Sequence, residues 1–163
     1  MSRGSAAWLE MVVLFLALYG GIPFAGLQLD RSFTLTPWPL PIRAAGAILL
    51  GLGIAGLAWC FVLFVRVGRG TPNPTTPPKT LVTVGPYAWT RNPIALSHAM
   101  ALIGLSFLVG SVSAVAIVVV LGIPIHLAML HEERTLEARF GEAYRAYAAS
   151  VPRWIPRLGK RHS

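Results

Sequence analysis

The run of residues 44–65 contains no charged side chain, and no other feature constrains the fold of this chain as much. Crossing a bilayer takes about 20 apolar residues in a helix, because backbone N–H and C=O groups must satisfy one another once water is absent. Three further runs have the same character: residues 11–29, with Glu10 at the start and Pro23 inside, residues 93–109, and residues 112–130. The first follows Arg3 as a signal peptide would, but it is longer than a typical apolar signal core, so a retained helix is expected. Over the chain, 55% of residues are hydrophobic and 12% charged, too little polar surface to face water on all sides. The expectation is an all-α membrane protein with about four transmembrane helices and a C-terminal amphipathic helix, its main partner being the lipid bilayer. One domain, residues 1–163, is expected: two N-terminal transmembrane helices over 1–66, then a loop, two more and the C-terminal helix over 67–163.

The formal net charge of +8 raises the question of a nucleic-acid partner. Its distribution answers it. The twelve arginines and two lysines cluster at the ends of apolar runs, where membrane anchors belong, and no basic helix is interleaved with aromatics. Nucleic acid is therefore excluded as a partner. Arg66, Arg69, Lys79 and Arg91 lie between the second and third runs, and seven basic residues from Arg134 to Arg161 follow the fourth. The Gly110-Ser111 connection has none, and the first connection has Arg31 and Arg43 with Asp30. By the positive-inside rule both termini and the middle loop are expected on the cytoplasmic side of a multi-pass protein.

The middle loop, residues 67–92, contains Pro72, Pro74, Pro77, Pro78 and Pro86 and is not regular helix. Prolines lower the entropy lost on ordering, and Leu81, Val82, Val84, Tyr87 and Trp89 are costly to leave in water, so a loop of fixed shape is expected. In the tail, Leu136, Phe140, Tyr144, Tyr147 and Val151 recur at spacings of four, four, three and four and line one helical face. Gly141 marks a kink or close packing within that helix, and Pro152 ends it.

Four features carry potential chemistry. Gly51, Gly53 and Gly56 fit GxGxxG, but inside a charge-free membrane run they read as helix-packing positions and not as a dinucleotide fingerprint, which needs a preceding strand. Glu132-Glu133 follows the fourth run; it reads either as solvated charge offset by Arg134 and Arg139 or as carboxylate facing a cavity. The block from Lys79 to Pro93 sets Tyr87, Trp89 and Arg91 between the turn signals Gly85-Pro86 and Asn92-Pro93; an interfacial aromatic belt explains these residues singly but not the string. His98 and His126 lie within apolar runs, where a structural hydrogen bond competes with catalysis, and two histidines alone make no metal site. The single cysteine, Cys60, leaves no internal disulfide and no CxxC site.

The string Gly85-Pro-Tyr-Ala-Trp-Thr-Arg-Asn-Pro93, with Glu132-Glu133-Arg-Thr-Leu136, Phe140-Gly-Glu-Ala-Tyr144-Arg-Ala-Tyr147 and Val151-Pro-Arg-Trp-Ile-Pro156, resembles a known pattern. It is similar to the superfamily of isoprenylcysteine carboxyl methyltransferases and phospholipid N-methyltransferases, with Gly70-Thr-Pro72 fitting upstream. The first two helices carry no recognised motif. The resemblance implies an S-adenosylmethionine-dependent membrane methyltransferase whose cofactor pocket is closed by the middle loop and the C-terminal helix. Cofactor contacts are implied at Lys79, Thr80, Leu81, Val82, Tyr87, Asn92, Pro93, Ile94, Ala95 and Glu132. Glu133 and His126 are the candidate catalytic groups, and Arg91, Arg134 and His98 the candidate substrate contacts.

The pattern is departed from at Asn92 and Ala95, which replace the family's histidine and second aromatic, and at Ala128, where prenylcysteine enzymes tend to carry an arginine for the substrate carboxylate. Asparagine still hydrogen-bonds, so cofactor binding is less affected than pocket shape. The acceptor stays open among a prenylcysteine carboxylate, a lipid amine and a small thiol, each membrane-associated. A carboxylate needs no base, whereas an amine must first lose a proton. Two rival readings are a small four-helix transporter or channel subunit and a scaffold without catalysis.

Overall fold

A computed structural model of the chain describes residues 12–69 and 79–155. Pro72, Pro74, Pro77 and Pro78, the Gly70-Thr-Pro72 element and the basic residues after Trp154 lie outside the described residues. The described chain is helical, with no strand among the described residues. Its helices are α1 (Val12–Ser32), α2 (Leu40–Arg66), α3 (Pro93–Val109), α4 (Val112–Phe140) and α5 (Glu142–Ser150), with a short 3-10 turn at Gly85–Ala88 before α3. α1, α2 and α4 are long and apolar enough to cross a bilayer; α3 is apolar but shorter, at 17 residues. This is the build of an integral membrane protein. Large apolar side chains face outward along these helices, among them Leu16, Phe24, Ile48, Val119 and Ile123, each more than half exposed. In water such a surface would aggregate; in lipid it is the solvated face.

By internal contacts the chain divides into two compact units, Met1–Leu52 with Ala99–Ile123 and Gly53–His98 with Pro124–Ser163. The units share out α2, α3 and α4, and in α4 the boundary falls at Pro124, the proline inside that helix.

In the first unit, α1 passes Pro23 by way of a wider π-helical turn at Ala17–Gly21. A proline ring presses on the carbonyl four residues earlier, and the wider turn relieves that clash. Small residues set the helix contacts. A Cβ placed on Gly26 would stand 2.5 Å from the Ala114 Cβ, and one on Gly46 would stand 2.7 Å from the Gly104 carbonyl oxygen. Ile22, Leu102, Ala114 and Val118 form the buried cluster around these contacts. The Gly110-Ser111 turn is tied down by its neighbours: the Trp38 indole donates to the Ser111 carbonyl (3.2 Å), the Arg43 Nε donates to the Leu108 carbonyl (3.0 Å), and the Asp30 carboxylate accepts from the Ser113 amide (2.9 Å). Ser111 caps α4 by accepting the Ala114 amide at 3.0 Å. Arg43 thus answers the carbonyl end of α3, a structural reason for its place in the first connection.

Gly104→Leu is expected to cost about 2–3 kcal/mol through overpacking against the α2 backbone, seen as a lower thermal midpoint in detergent. Gly51→Leu is expected to change it by less than about 0.5 kcal/mol, because nothing lies within 4 Å of a Cβ there. Equal effects at the two positions would refute this packing.

In the second unit, Gly56 abuts the Ser97 hydroxyl so closely that a Cβ has no room, whereas Gly51, in the first unit, faces open space. Of these two glycines in the GxGxxG string, only Gly56 makes a close helix contact. The fourth apolar run does not stop at residue 130: α4 continues to Phe140 and takes in the first half of the expected tail helix. The break comes at Gly141, whose φ of +54° is a backbone conformation that glycine adopts without a Cβ penalty. The apolar face nevertheless survives the break, since Tyr144, Tyr147 and Val151 are buried together against Leu136 and Phe140.

Candidate functional site

The site is built in the second unit, where the chain leaving α2 is drawn back to it. The Lys79 and Thr80 amides donate to the Gly68 carbonyl (2.8 and 3.3 Å), closing the base of the middle loop. Gly85 follows with a φ of +62°, and a Cβ there would stand 2.9 Å from Leu63. That turn lets Val82 and Tyr87 pack on Cys60, with Leu63, Phe64 and Ile94 around them. Trp89 meets Trp59 edge to face at 5.8 Å.

The segment ahead of α3 is then fastened to α5 and to the chain after it. The Tyr147 hydroxyl donates to the Tyr87 carbonyl at 2.7 Å. The Arg91 amide donates to the Pro152 carbonyl at 2.9 Å. The Arg153 carbonyl accepts both the Thr90 hydroxyl (2.8 Å) and the Asn92 side-chain amide (3.3 Å). Finally the Trp154 indole donates to His126 Nδ1 at 3.0 Å, joining this strap to α4. A histidine accepting at Nδ1 carries its neutral-form proton on Nε2, so His126 presents a donor on its other side.

The adjacent glutamates have opposite surroundings. Both oxygens of Glu133 are taken: Arg153 donates through Nε and Nη2 at 2.8 and 2.9 Å, and Arg91 through Nη1 at 3.1 Å. The Glu133 hydrogen bond is also the first cause that raises the Arg153 guanidinium above its ordinary range. Glu132, one residue earlier, is exposed and has no ion pair among the described residues. It nevertheless lies within electrostatic reach of Tyr87. Burial first, then the Cys60 thiol, and last the Glu132 charge push the Tyr87 phenol far up, so it remains a protonated donor. That hydroxyl is buried, and its hydrogen-bonding neighbour among the described residues is the Cys60 thiol, a weak partner, with no oxygen or nitrogen acceptor in reach. A carboxylate without an ion pair among the described residues and a phenol met only by a thiol, in one neighbourhood, suit a ligand carrying an ammonium or hydroxyl groups.

Of the expected cofactor residues, Val82, Tyr87 and Ile94 come together in one cluster, and Leu81 packs beside Tyr144 and Tyr147. Lys79 and Thr80 stand exposed at the loop base, Pro93 opens α3, and Ala95 is half-buried on its first turn. Asn92 spends its side-chain amide on the strap, the place where the family histidine is missing. His98 is half-buried on α3. Arg91 and Arg134 both line an open cleft beside Glu133. Sequence reasoning gave Tyr147 only a place on the tail's apolar face and did not single out Thr90, Arg153 or Trp154. The last two lay inside a string used only for resemblance, and backbone carbonyls as acceptors leave no sequence signal. Among the described residues no group of three or more His, Cys, Asp or Glu side chains is placed to hold a metal ion.

Apolar helices of membrane-crossing length, with an open cleft lined by Arg91, Glu133, Arg134 and Arg153, define an integral membrane protein. The sequence pattern of the family described as phospholipid methyltransferase matches residues 42–143, and the chain belongs to that family. It is similar to the cobalt-zinc-cadmium resistance protein CzcN of Cupriavidus metallidurans, 28% identical over 123 residues, covering 74% of this chain and 52% of that one. It is also similar to the nickel-cobalt-cadmium resistance protein NccN of Alcaligenes xylosoxydans xylosoxydans, 28% identical over 117 residues, covering 72% and 51%. The chain thus spans about half the length of these curated relatives. No solved structure matches.

Proposed function

We propose that the chain catalyses S-adenosylmethionine-dependent methyl transfer to a membrane-associated acceptor. The observation that carries this reading is an exposed Glu132, without an ion pair among the described residues, within electrostatic reach of the buried Tyr87 hydroxyl, which only the Cys60 thiol meets. Membership of the phospholipid methyltransferase family supports it. The cofactor supplies an electrophilic methyl group on a sulfonium. Glu132 accepts from its ammonium or ribose hydroxyls, and Tyr87 donates to an acceptor atom of the same ligand. Residues 79–82 and 92–95 offer backbone groups and an apolar wall, and Cys60, Val82 and Ile94 exclude water from behind that wall. Water exclusion and alignment are what a displacement that disperses charge needs most.

Glu133 acts in this reading through the two arginines it holds, as a positioning residue that keeps the strap against α4. His126 is fixed by Trp154 in a form that donates toward the acceptor. The acceptor is a prenylcysteine carboxylate, a lipid amine or a small thiol; all three fit a site with one exposed carboxylate and a histidine donor.

Calorimetric titration of the detergent-purified protein with S-adenosylhomocysteine tests the reading. Micromolar binding is expected, weakened by about 30-fold or more in Glu132→Ala through loss of a charge-assisted hydrogen bond. A folded wild type that does not bind would overturn it.

A further inference from the structure

One bond ties the outer end of the strap to α4: the Trp154 indole donates to His126 Nδ1 at 3.0 Å. An indole N–H only donates, so the ring must accept, and only the neutral imidazole has a nitrogen free to do so. Protonation puts a hydrogen on both ring nitrogens and sets two donors against each other. Cation–π attraction does not make good the loss. The indole turns its N–H edge to the ring nitrogen, the edge is the positive part of an aromatic system, and the two rings are tilted by 38° with centroids 5.9 Å apart.

The other fastenings of the strap do not answer to the same proton. Arg153 is held by Glu133, which also takes Arg91, and a carboxylate between two guanidiniums keeps its charge in mild acid. The bonds from Thr90, Arg91 and Asn92 to the Pro152 and Arg153 carbonyls join groups that do not titrate. Burial is the first cause that pushes the Tyr87 and Tyr147 phenols far up, so both stay neutral. Among the described residues the other histidines of this unit are His98, half-buried on α3, and His131, exposed on α4 beside the exposed Glu132. No charged side chain bonds to His126 among the described residues.

We infer that His126 and Trp154 form a proton-sensitive latch on the candidate site, shut by the neutral ring and released by the protonated one. Closure requires the neutral ring, so the closed form binds fewer protons than the open one, and falling pH favours opening. Release frees the strap next to the carbonyls that hold Thr90 and Asn92, and the segment ahead of α3 loosens with it. The latch governs the shape of the site whatever the site binds, and so stands apart from the methyl-transfer reading.

The test is limited proteolysis of the full detergent-purified chain with proteinase K, without ligand, at about pH 8 and about pH 5.5, the range over which histidine ordinarily changes charge. Each rate of cutting within residues 79–92 is taken relative to Trp154→Phe under the same conditions, so that the protease's own response to pH cancels. Near pH 8 the wild type is expected to be cut about fivefold more slowly than Trp154→Phe, and in acid at a rate within about twofold of it. His126→Asn puts an acceptor that does not titrate in the place of Nδ1, and its ratio to Trp154→Phe is expected to be the same at both pH values. The latch is disproved if the wild type stays about fivefold slower in acid, or if it already matches Trp154→Phe near pH 8. It is equally disproved if the His126→Asn ratio changes with pH as the wild type's does, since another group would then be titrating.

Discussion

Glu133→Ala is expected to cost about 3 kcal/mol of stability, whereas Glu132→Ala, one residue away, is expected to cost less than about 0.5 kcal/mol. The difference follows from what each removal leaves behind. Without Glu133, the guanidinium of Arg91, 14% exposed, loses its carboxylate, and Arg153 loses a two-point partner. A buried charge deprived of its counter-ion costs far more than the pair contributed while intact. The figure sits at the low end of that range because Arg153 remains 33% exposed and can recover some hydration. Glu132 has no partner to strand. In thermal unfolding the first variant should fall by roughly 10 °C and the second by 1–2 °C or less. Glu133→Gln, which keeps an acceptor for one arginine, should lie between them. A wild-type midpoint for Glu133→Ala would remove its role as the strut between Arg91 and Arg153. Set beside the cofactor titration, the two glutamates should separate cleanly: one loses stability, the other loses ligand.

That separation is where reading the sequence reached its limit. The two residues are identical in type, adjacent, and followed by the same arginine, so nothing local distinguishes them. Their difference is made 42 residues upstream and 20 downstream, by Arg91 and Arg153. The helices were far more legible, because an apolar run of bilayer length is a property of the segment itself: α3 begins and ends at Pro93 and Val109 as its composition indicated. The tail was legible in its face but not in its continuity. Spacing placed Leu136, Phe140, Tyr144, Tyr147 and Val151 together, and they do pack together, yet the positive φ at Gly141 splits them between α4 and α5. Motif strings carried the family, though the matched region begins at residue 42, within a helix that offered no motif. The fastening of Thr90, Arg91 and Asn92 was invisible for another reason. Its acceptors are the Pro152 and Arg153 carbonyls, which every residue type presents alike.

The same fastening makes the strap after α5 the other place where a single change should have a large effect. A chain ended after Ser150 is expected to keep its apolar helices, which need only their own backbone bonds and the contacts at Gly26, Gly46 and Gly104. It should lose the site. Removal takes Val151 from the tyrosine cluster, the three backbone-mediated bonds to residues 90–92, the Arg153 pair with Glu133, and the Trp154 bond to His126. Each is worth about 1 kcal/mol or more, and they act on one short segment, so residues 79–92 should open together. Limited proteolysis should then cut within that segment at least about tenfold faster than in the full chain, since the open population rises by a decade for each 1.4 kcal/mol lost. S-adenosylhomocysteine binding should vanish with it, while far-ultraviolet circular dichroism stays helical. Arg153→Ala alone removes the ion pair but leaves the carbonyls in place, so it should give a smaller rise in cleavage. If the shortened chain retained ligand binding and protease resistance, the segment before α3 would be holding its own shape and the strap would be a passenger. If it lost both while Arg153→Ala lost neither, the backbone carbonyls, more than the charge, would be what organises the site.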